Sequence, residues 1–178
     1  MSEEKNMNTI VIYNSKTGFT QKYAEWIAAA LDCEAIPQKN AKALSKYDLI
    51  IFGGGIMASM ITGLSKMKKS AFKENKKLVV FATGATHVNE AETIEGFKNA
   101  NFTENERQSI PFFYFQSGLN FEKMKFFPKA LLNMMKNSLA KKENKTEEEK
   151  EMLKAFEHSC DSSSEKFIAP LVEYVKKL

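Results

Sequence analysis

Residues 10–20, Ile10-Val11-Ile12-Tyr13-Asn14-Ser15-Lys16-Thr17-Gly18-Phe19-Thr20, decide the fold. A run of β-formers ends in a hydroxyl-rich loop with one glycine, and a helix-forming stretch, Gln21 to Leu31, follows at once. That order places Ser15, Thr17, Gly18 and Thr20 between the carboxyl end of a strand and the amino end of a helix. The first amides of a helix lack partners within it, and the macrodipole adds partial positive charge there. A loop so placed suits a phosphate, with each charge-assisted hydrogen bond contributing about 1.5–3 kcal/mol. A nucleotide P-loop closes on Gly-Lys-Ser/Thr, whereas here Lys16 precedes the glycine and Phe19 follows it. The dinucleotide fingerprint needs three spaced glycines, and only Gly18 is present. The pattern argues for one phosphate and against a nucleoside triphosphate. The plainer alternative is a strand-to-helix turn in which Thr20 is the N-cap. Four polar or small residues in six exceed what capping requires.

Five short apolar runs stand out along the chain: Thr9–Tyr13, Cys33–Ile36, Asp48–Phe52, Leu78–Ala82 and Pro111–Phe115. The first, third and fourth are nearly continuous in apolar residues, as expected of strands covered on both faces. Helical segments lie between them. Tyr23, Trp26, Ile27, Ala30 and Leu31 fall on one face of the first. Pro37–Lys46 permits a short helix, and Leu64–Phe72 and Glu90–Phe97 supply the next two. Strand and helix alternate, which argues for a parallel sheet with helices on both faces. In such a sheet a ligand binds beyond the carboxyl ends of the strands, where the strand order reverses.

The third run is followed by Gly53-Gly54-Gly55-Ile56-Met57-Ala58-Ser59 and the fourth by Thr83-Gly84-Ala85-Thr86-His87. Read as loops, the glycines allow positive φ and leave amides open to a planar ring. Gly54, Gly55, Ile56 and Met57 with Thr83, Gly84 and Ala85 then join the Ser15–Thr20 loop in one composite site. Taken alone, the Gly53–Ser59 loop is equally well a flexible turn.

Composition bounds the remaining classes. At 178 residues, 43% hydrophobic and 27% charged, the chain reads as one domain spanning 1–178 with room for a sizeable core. No run approaches the ~20 apolar residues of a bilayer span, and Met1 to Asn6 lacks the pattern of a secretory signal. Two distant cysteines, Cys33 and Cys160, argue against a disulfide framework and for a cytoplasmic address. A net charge of +4 does not by itself call for nucleic acid, and no aromatic-basic or zinc spacing supports it. His87 and His158 are isolated and read as surface or capping residues. No metal site is expected.

Ser15-Lys16-Thr17-Gly18-Phe19-Thr20 resembles the flavodoxin phosphate loop, Ser/Thr-x-Thr-Gly-x-Thr, which follows a first strand near the amino terminus. The resemblance extends in element order over most of residues 8–118. It implies a three-layer, doubly wound α/β fold with a five-stranded parallel sheet in the order 2-1-3-4-5. It also implies FMN as cofactor, its phosphate held by Ser15, Lys16, Thr17, Gly18, Phe19 and Thr20. The flanking loops, from Gly54 to Met57 and from Thr83 to Ala85, then sandwich the isoalloxazine ring. Many flavodoxins stack a tryptophan or tyrosine on that ring. Neither flanking loop has one here, which leaves Ile56, Met57 or His87 to cover it. No catalytic acid or base is compelled by the sequence.

The chain does not close quickly after the fifth run. Residues 120–142 hold six lysines and one glutamate, a local net of +5, interleaved with Phe121, Phe126, Phe127, Leu131, Leu132, Met134 and Met135. Such a basic, aromatic, amphipathic segment suits lipid headgroups or a greasy partner. It suits a core-packing helix with solvated lysines equally well. Thr146 with Glu149 forms a capping-box pattern for a helix to about Phe156. A last helix is expected over Ser163–Lys177, burying Phe167, Leu171, Val172 and Val175, with Pro170 bending it or delaying its start.

A glycine after the fifth strand, the aromatic-basic stretch and a Met134-Met135-Lys136 helix resemble the menaquinone-dependent protoporphyrinogen dehydrogenase branch of flavodoxin-like proteins. That resemblance implies an FMN oxidoreductase passing electrons from a porphyrinogen to a quinone at the inner face of the membrane. Two alternatives stand beside it. One is a soluble flavodoxin-type electron carrier, which the charge of +4 disfavours because such carriers are usually acidic. The other is a non-catalytic module that has lost its flavin.

Overall fold

The computed structural model describes residues 7–120, 126–145 and 160–178. A parallel sheet runs through its centre. Its strands are β1 (Thr9–Asn14), β2 (Glu34–Pro37), β3 (Leu49–Met57), β5 (Lys77–Gly84) and β6 (Phe112–Gln116), with β4 (Met60–Ile61) added antiparallel to β3. The spatial order is β2-β1-β3-β5-β6. Counting only the parallel strands, this is the expected 2-1-3-4-5. The order reverses at β1, between β2 and β3, so the loop that leaves β1 lies at the switch point.

Alternation of side chains along each strand divides the core into two layers. Ile10, Ile12, Ile50, Phe52, Leu78 and Val80 pack with Leu64, Met67 and Ala71 of α2 (Leu64–Lys73). Val11, Leu49, Ile51, Val79 and Phe81 pack on the other face with α1 (Phe19–Leu31) and the carboxyl-terminal helix. Both faces of the sheet are covered, and this accounts for the continuous apolar runs of β1, β3 and β5. Each fully buried Ile, Val or Phe contributes about 1.5–3 kcal/mol. On α1 the buried residues are Tyr23, Ala24, Ile27 and Ala28 with Thr20. Trp26 is only partly covered and Ala30 is exposed, so the buried stripe is rotated from the expected face.

Two further helices, α3 (Ala91–Asn101) and α4 (Glu104–Ser109), separate β5 from β6. The second was not legible as a separate element. It begins with a capping box in which Glu106 N–H donates to Thr103 Oγ1 and Thr103 N–H to Glu106 Oε2. Lys68 Nζ donates to the same carboxylate at 2.8 Å and to Asn101 O at 2.9 Å, tying α2 to the α3–α4 corner. Burial pushes the Glu106 carboxyl up, but the hydrogen bonds from Lys68 and Thr103 outweigh it and hold the pKa below the ordinary value. The expected helix over Pro37–Lys46 is reduced to a 3₁₀ turn at Gln38–Asn40.

After β6 the chain forms β7 (Gly118–Leu119), then α5 (Phe126–Ala140), and later β8 (Cys160–Asp161), which pairs antiparallel with β7. The chain before residue 120 and the chain after residue 159 are therefore joined in one two-stranded clasp. Gly118 is required there: a Cβ would stand 1.9 Å from Cys160 O. Lys22 of α1 secures the returning strand through an ion pair with Asp161 at 2.8 Å and a hydrogen bond to Ser163 Oγ. Tyr23 completes it, its hydroxyl accepting from Ser164 N–H at 3.1 Å and donating to Gln116 O. Burial raises the Tyr23 hydroxyl to about 12, so it stays protonated and able to donate.

A 3₁₀ turn, Glu165–Ile168, precedes α6 (Ala169–Lys176), in which Pro170 occupies the first turn. Proline is tolerated there because that amide has no helical partner in any case. The delayed start and the burial of Leu171, Val172 and Val175 agree with the reading of the sequence. The helix expected from Thr146 to Phe156, His158, residues 121–125, and the side chains of Phe126, Phe127, Leu131, Leu132 and Met135 lie outside the described residues. Met134 is 63% exposed. No helix among the described residues is long and apolar enough to cross a membrane.

Candidate functional site

The site is built at the carboxyl end of β1. Gly18 adopts φ +98°, a left-handed conformation that a side chain would strain, and so turns the chain into α1. Ser15 closes the loop by accepting Gly18 N–H at its Oγ, 3.1 Å away. Within α1 the 5→1 ladder opens with Lys22 N–H donating to Gly18 O at 3.0 Å. The amides of Phe19, Thr20 and Gln21 precede that bond, and no acidic residue stands in the first turn to compete for them. The helix cap is Gly18, with no side-chain cap hydrogen bond. Thr20 is therefore not an N-cap.

Thr20 has another partner. Its hydroxyl lies 2.8 Å from that of Thr83 at the end of β5, and both residues are buried. A Cβ on Gly55 would stand 3.6 Å from Thr20 Oγ1 and 3.9 Å from Thr83 Oγ1. The structure thus brings together Thr20, Gly55 and Thr83 from three different elements. Lys16 is exposed, and its Nζ lies 3.9 Å from Met57 Sδ, which brings the β1 loop against the tip of the β3–β4 hairpin. Ser15, Thr17, Gly18 and Phe19 are half-buried along the rest of the loop.

The glycine run was misread as a loop. Gly53, Gly54 and Gly55 lie inside β3, and none has positive φ. Their role is close packing. The Phe81 ring lies across Gly53, where a Cβ would be 2.0 Å from Cζ. Gly54 lies beneath the returning hairpin, 2.5 Å from Thr62 O by the same measure. Gly54 is accordingly walled off by the backbone, whereas Gly55 faces the hydroxyls. The β3 strand continues through Ile56 and Met57, turns at Ala58 and Ser59 with φ +48° and +65°, and returns through Met60 and Ile61. Ile56 packs against the core, while Met57 and Met60 are 40% and 51% exposed. Thr83 and Gly84 likewise belong to β5, and Ala85 is the first exposed residue beyond it.

Residues absent from the sequence-based site hold it in shape. Asn101, at the end of α3, accepts Ile61 N–H at 2.8 Å and donates to Ser59 O at 2.8 Å and Phe97 O at 2.7 Å, pinning the hairpin. Tyr114 donates to Thr86 O at 2.9 Å, and Gln116 Oε1 accepts Val88 N–H at 3.3 Å, so β6 anchors the segment after β5. Burial pushes the Tyr114 hydroxyl well above its ordinary value and keeps it a donor. His87 is exposed and accepts Asn89 N–H at Nδ1, a turn role in agreement with its reading as a capping residue.

An open concavity of about 1100 Å³ lies at the opposite end of the sheet among Met7, Asp32, Cys33, Val175 and Leu178. Its walls gather no set of hydroxyls and helix amides. Cys33, on its wall, is pushed up to about 11 by burial and by Asp32 and Glu34, which makes it a poor nucleophile. Cys160 is exposed. Among the described residues no group of three or more His, Cys, Asp or Glu side chains is arranged to hold a metal.

The doubly wound parallel sheet, with the amino terminus of α1 at its switch point, defines a class of α/β proteins. Within that class, a family model described as "Flavodoxin domain" matches residues 10–147, and the chain belongs to this family. Solved structures of similar shape include a flavoprotein in complex with FMN from Lactobacillus acidophilus NCFM. It is 17% identical, covers 62% of this chain and 92% of its own, and has a TM-score of 0.44. A WrbA-like flavodoxin from Agrobacterium tumefaciens is 16% identical over 74% of this chain and 98% of its own, with a TM-score of 0.42. The Trp repressor binding protein from Bacillus subtilis is 15% identical over 78% and 99%, with a TM-score of 0.41. No curated protein matches the chain.

Proposed function

We propose that this protein binds FMN and uses it for electron transfer. The observation that carries the reading is the amino terminus of α1. Its amides stand free behind Gly18, with no acidic side chain in the first turn. Beside them Gly55 leaves open a space bordered by the hydroxyls of Thr20 and Thr83 that a Cβ would occupy. These features fit a monophosphate joined to a polyol chain. Ser15, Thr17, Gly18 and the amides of Lys16, Phe19 and Thr20 would hold the phosphate. Gly55, Ile56 and Met57 on one side and Thr83, Gly84 and Ala85 on the other would border the ring. Gly54 contributes through packing rather than contact. Bound flavin supplies hydride and single-electron chemistry, and the chain orients it and shields it from water.

The finer reading is a quinone-coupled oxidoreductase of the protoporphyrinogen dehydrogenase type, in one domain spanning 1–178. Its support is the placement of the basic segment. The segment is bracketed by the β7–β8 pair, and Lys22 of α1, the helix that follows the phosphate loop, is ion-paired with Asp161 of β8. Residues 120–142 would then meet the inner face of a membrane or a greasy redox partner, with no nucleic acid involved. The test is anaerobic oxidation of a porphyrinogen by the FMN-loaded protein with a soluble naphthoquinone as acceptor. Turnover proportional to bound flavin is expected. Bound flavin without turnover would point to the electron-carrier reading instead. A non-catalytic module draws support from the missing aromatic clamp, and failure to take up flavin at all would favour it.

A further inference from the structure

We infer that Thr62, which no sequence motif singles out, is a further cofactor-binding residue whose hydroxyl takes an oxygen of the ribityl-phosphate chain. The inference rests on the FMN reading above and assigns a new residue within it. Thr62 lies in the connection from β4 to α2 and is fixed in place by its N–H, which donates to Gly55 O at 3.0 Å. Its Oγ1 is buried and has no hydrogen-bond partner among the described residues. Buried hydroxyls are nearly always paired, and one left unpaired is destabilising, so it calls for an explanation.

The surroundings supply one. Thr20 and Thr83 satisfy each other at 2.8 Å. A Cβ on Gly55 would have Thr62 Oγ1 at 4.0 Å, in addition to Thr20 Oγ1 at 3.6 Å and Thr83 Oγ1 at 3.9 Å. Hydroxyls from three other chain segments thus converge on Gly55, a strand position that carries no side chain. Two are paired with each other and the third is not. Gly55 pairs with Thr83 and lies one residue beyond the last β1–β3 pair, Asn14 with Gly54. It therefore sits between the phosphate loop and the end of β5, where a chain joining phosphate to ring would run in the FMN reading. A threonine hydroxyl brings one donor and two acceptor lone pairs. The oxygens of that chain are acceptors, and the unspent donor is matched to them.

The experiment compares wild type with Thr62→Val, an isosteric change that deletes only the hydroxyl, and Thr62→Ser, which keeps it. The readouts are the melting temperature of FMN-free protein and the FMN dissociation constant from flavin fluorescence. An unpaired hydroxyl is a liability without ligand, so Thr62→Val is expected to melt about 2–4 °C higher than wild type when FMN-free. It should bind FMN about tenfold more weakly, the loss of one hydrogen bond. Thr62→Ser should restore most of the affinity. FMN binding by Thr62→Val at wild-type strength would overturn the inference while leaving the FMN reading intact. A lower melting temperature in the FMN-free Thr62→Val protein would overturn it too, because the hydroxyl would then already be partnered internally. Wild-type protein that does not bind FMN would overturn the flavin reading itself, and this assignment with it.

Discussion

Replacing Asn101 by leucine is expected to cost about 2–4 kcal/mol, a fall in Tm of roughly 5–15 °C for a chain of this size. Asn101 is 8% exposed, and its side chain makes three hydrogen bonds to the backbone. Leucine fills a similar volume but leaves Ile61 N–H, Ser59 O and Phe97 O to find other partners. An unpaired buried amide alone costs about 1–3 kcal/mol. The hairpin it holds is strained in itself. Ala58 and Ser59 both have left-handed φ, at about 1–2 kcal/mol per non-glycine residue. That strain persists only because the ends are pinned, β3 by the sheet and the return strand by Asn101. Loosening the pin frees Met57, so FMN affinity should fall along with stability. Thermal melts and flavin titration of the same variant check both. A loss below about 1 kcal/mol would show that the hairpin is held by something other than Asn101.

Gly53→Val is expected to be as damaging through a different mechanism. The Phe81 ring lies across Gly53, with Cζ, Cε2 and Cε1 within 2.0–2.5 Å of where a Cβ would stand. Phe81 cannot retreat freely, because it is fully buried and packs on Phe115 at 5.4 Å, which in turn packs on Tyr23 at 5.1 Å. Overpacking typically costs about 1–3 kcal/mol, and a loss at the upper end of that range is a drop in Tm of roughly 6–12 °C. A double variant, Gly53→Ala with Phe81→Leu, should recover part of the loss of Gly53→Ala alone, since the two sites share one volume. Strict additivity between them would mean that the clash is relieved elsewhere.

The same two residues show what the sequence could and could not disclose. The parallel strands were legible from their apolar runs, because two covered faces leave little room for polar residues. The order of the sheet followed from a resemblance carried by six residues at Ser15–Thr20. The glycine run was legible as unusual but not in its role. A glycine that opens a loop and one that makes room for a neighbouring ring look alike until the neighbour is known, and Phe81 is 28 positions away. The hairpin at Ala58-Ser59 was hidden because its turn lacks the Asn-Gly or Asp-Gly pair that usually marks one. Asn101 and Thr62 were hidden for the related reason that their partners are backbone groups or converge from distant segments. Pro170 was read correctly because its effect is local. The clasp of β7 on β8 left no periodic signal, being two residues on each side.

FMN binding at this site requires the loop from Ser15 to Thr20 to hold a single phosphate. The most direct measurement is a pair of fluorescence titrations of flavin-free protein, one with FMN and one with riboflavin, which differs by lacking the phosphate. Quenching of FMN at one equivalent per chain is expected, with binding of riboflavin weaker by about a hundredfold or more. That ratio corresponds to two charge-assisted hydrogen bonds at the helix terminus. Equal affinity for the two flavins, or FMN fluorescence unchanged by the protein, would contradict it.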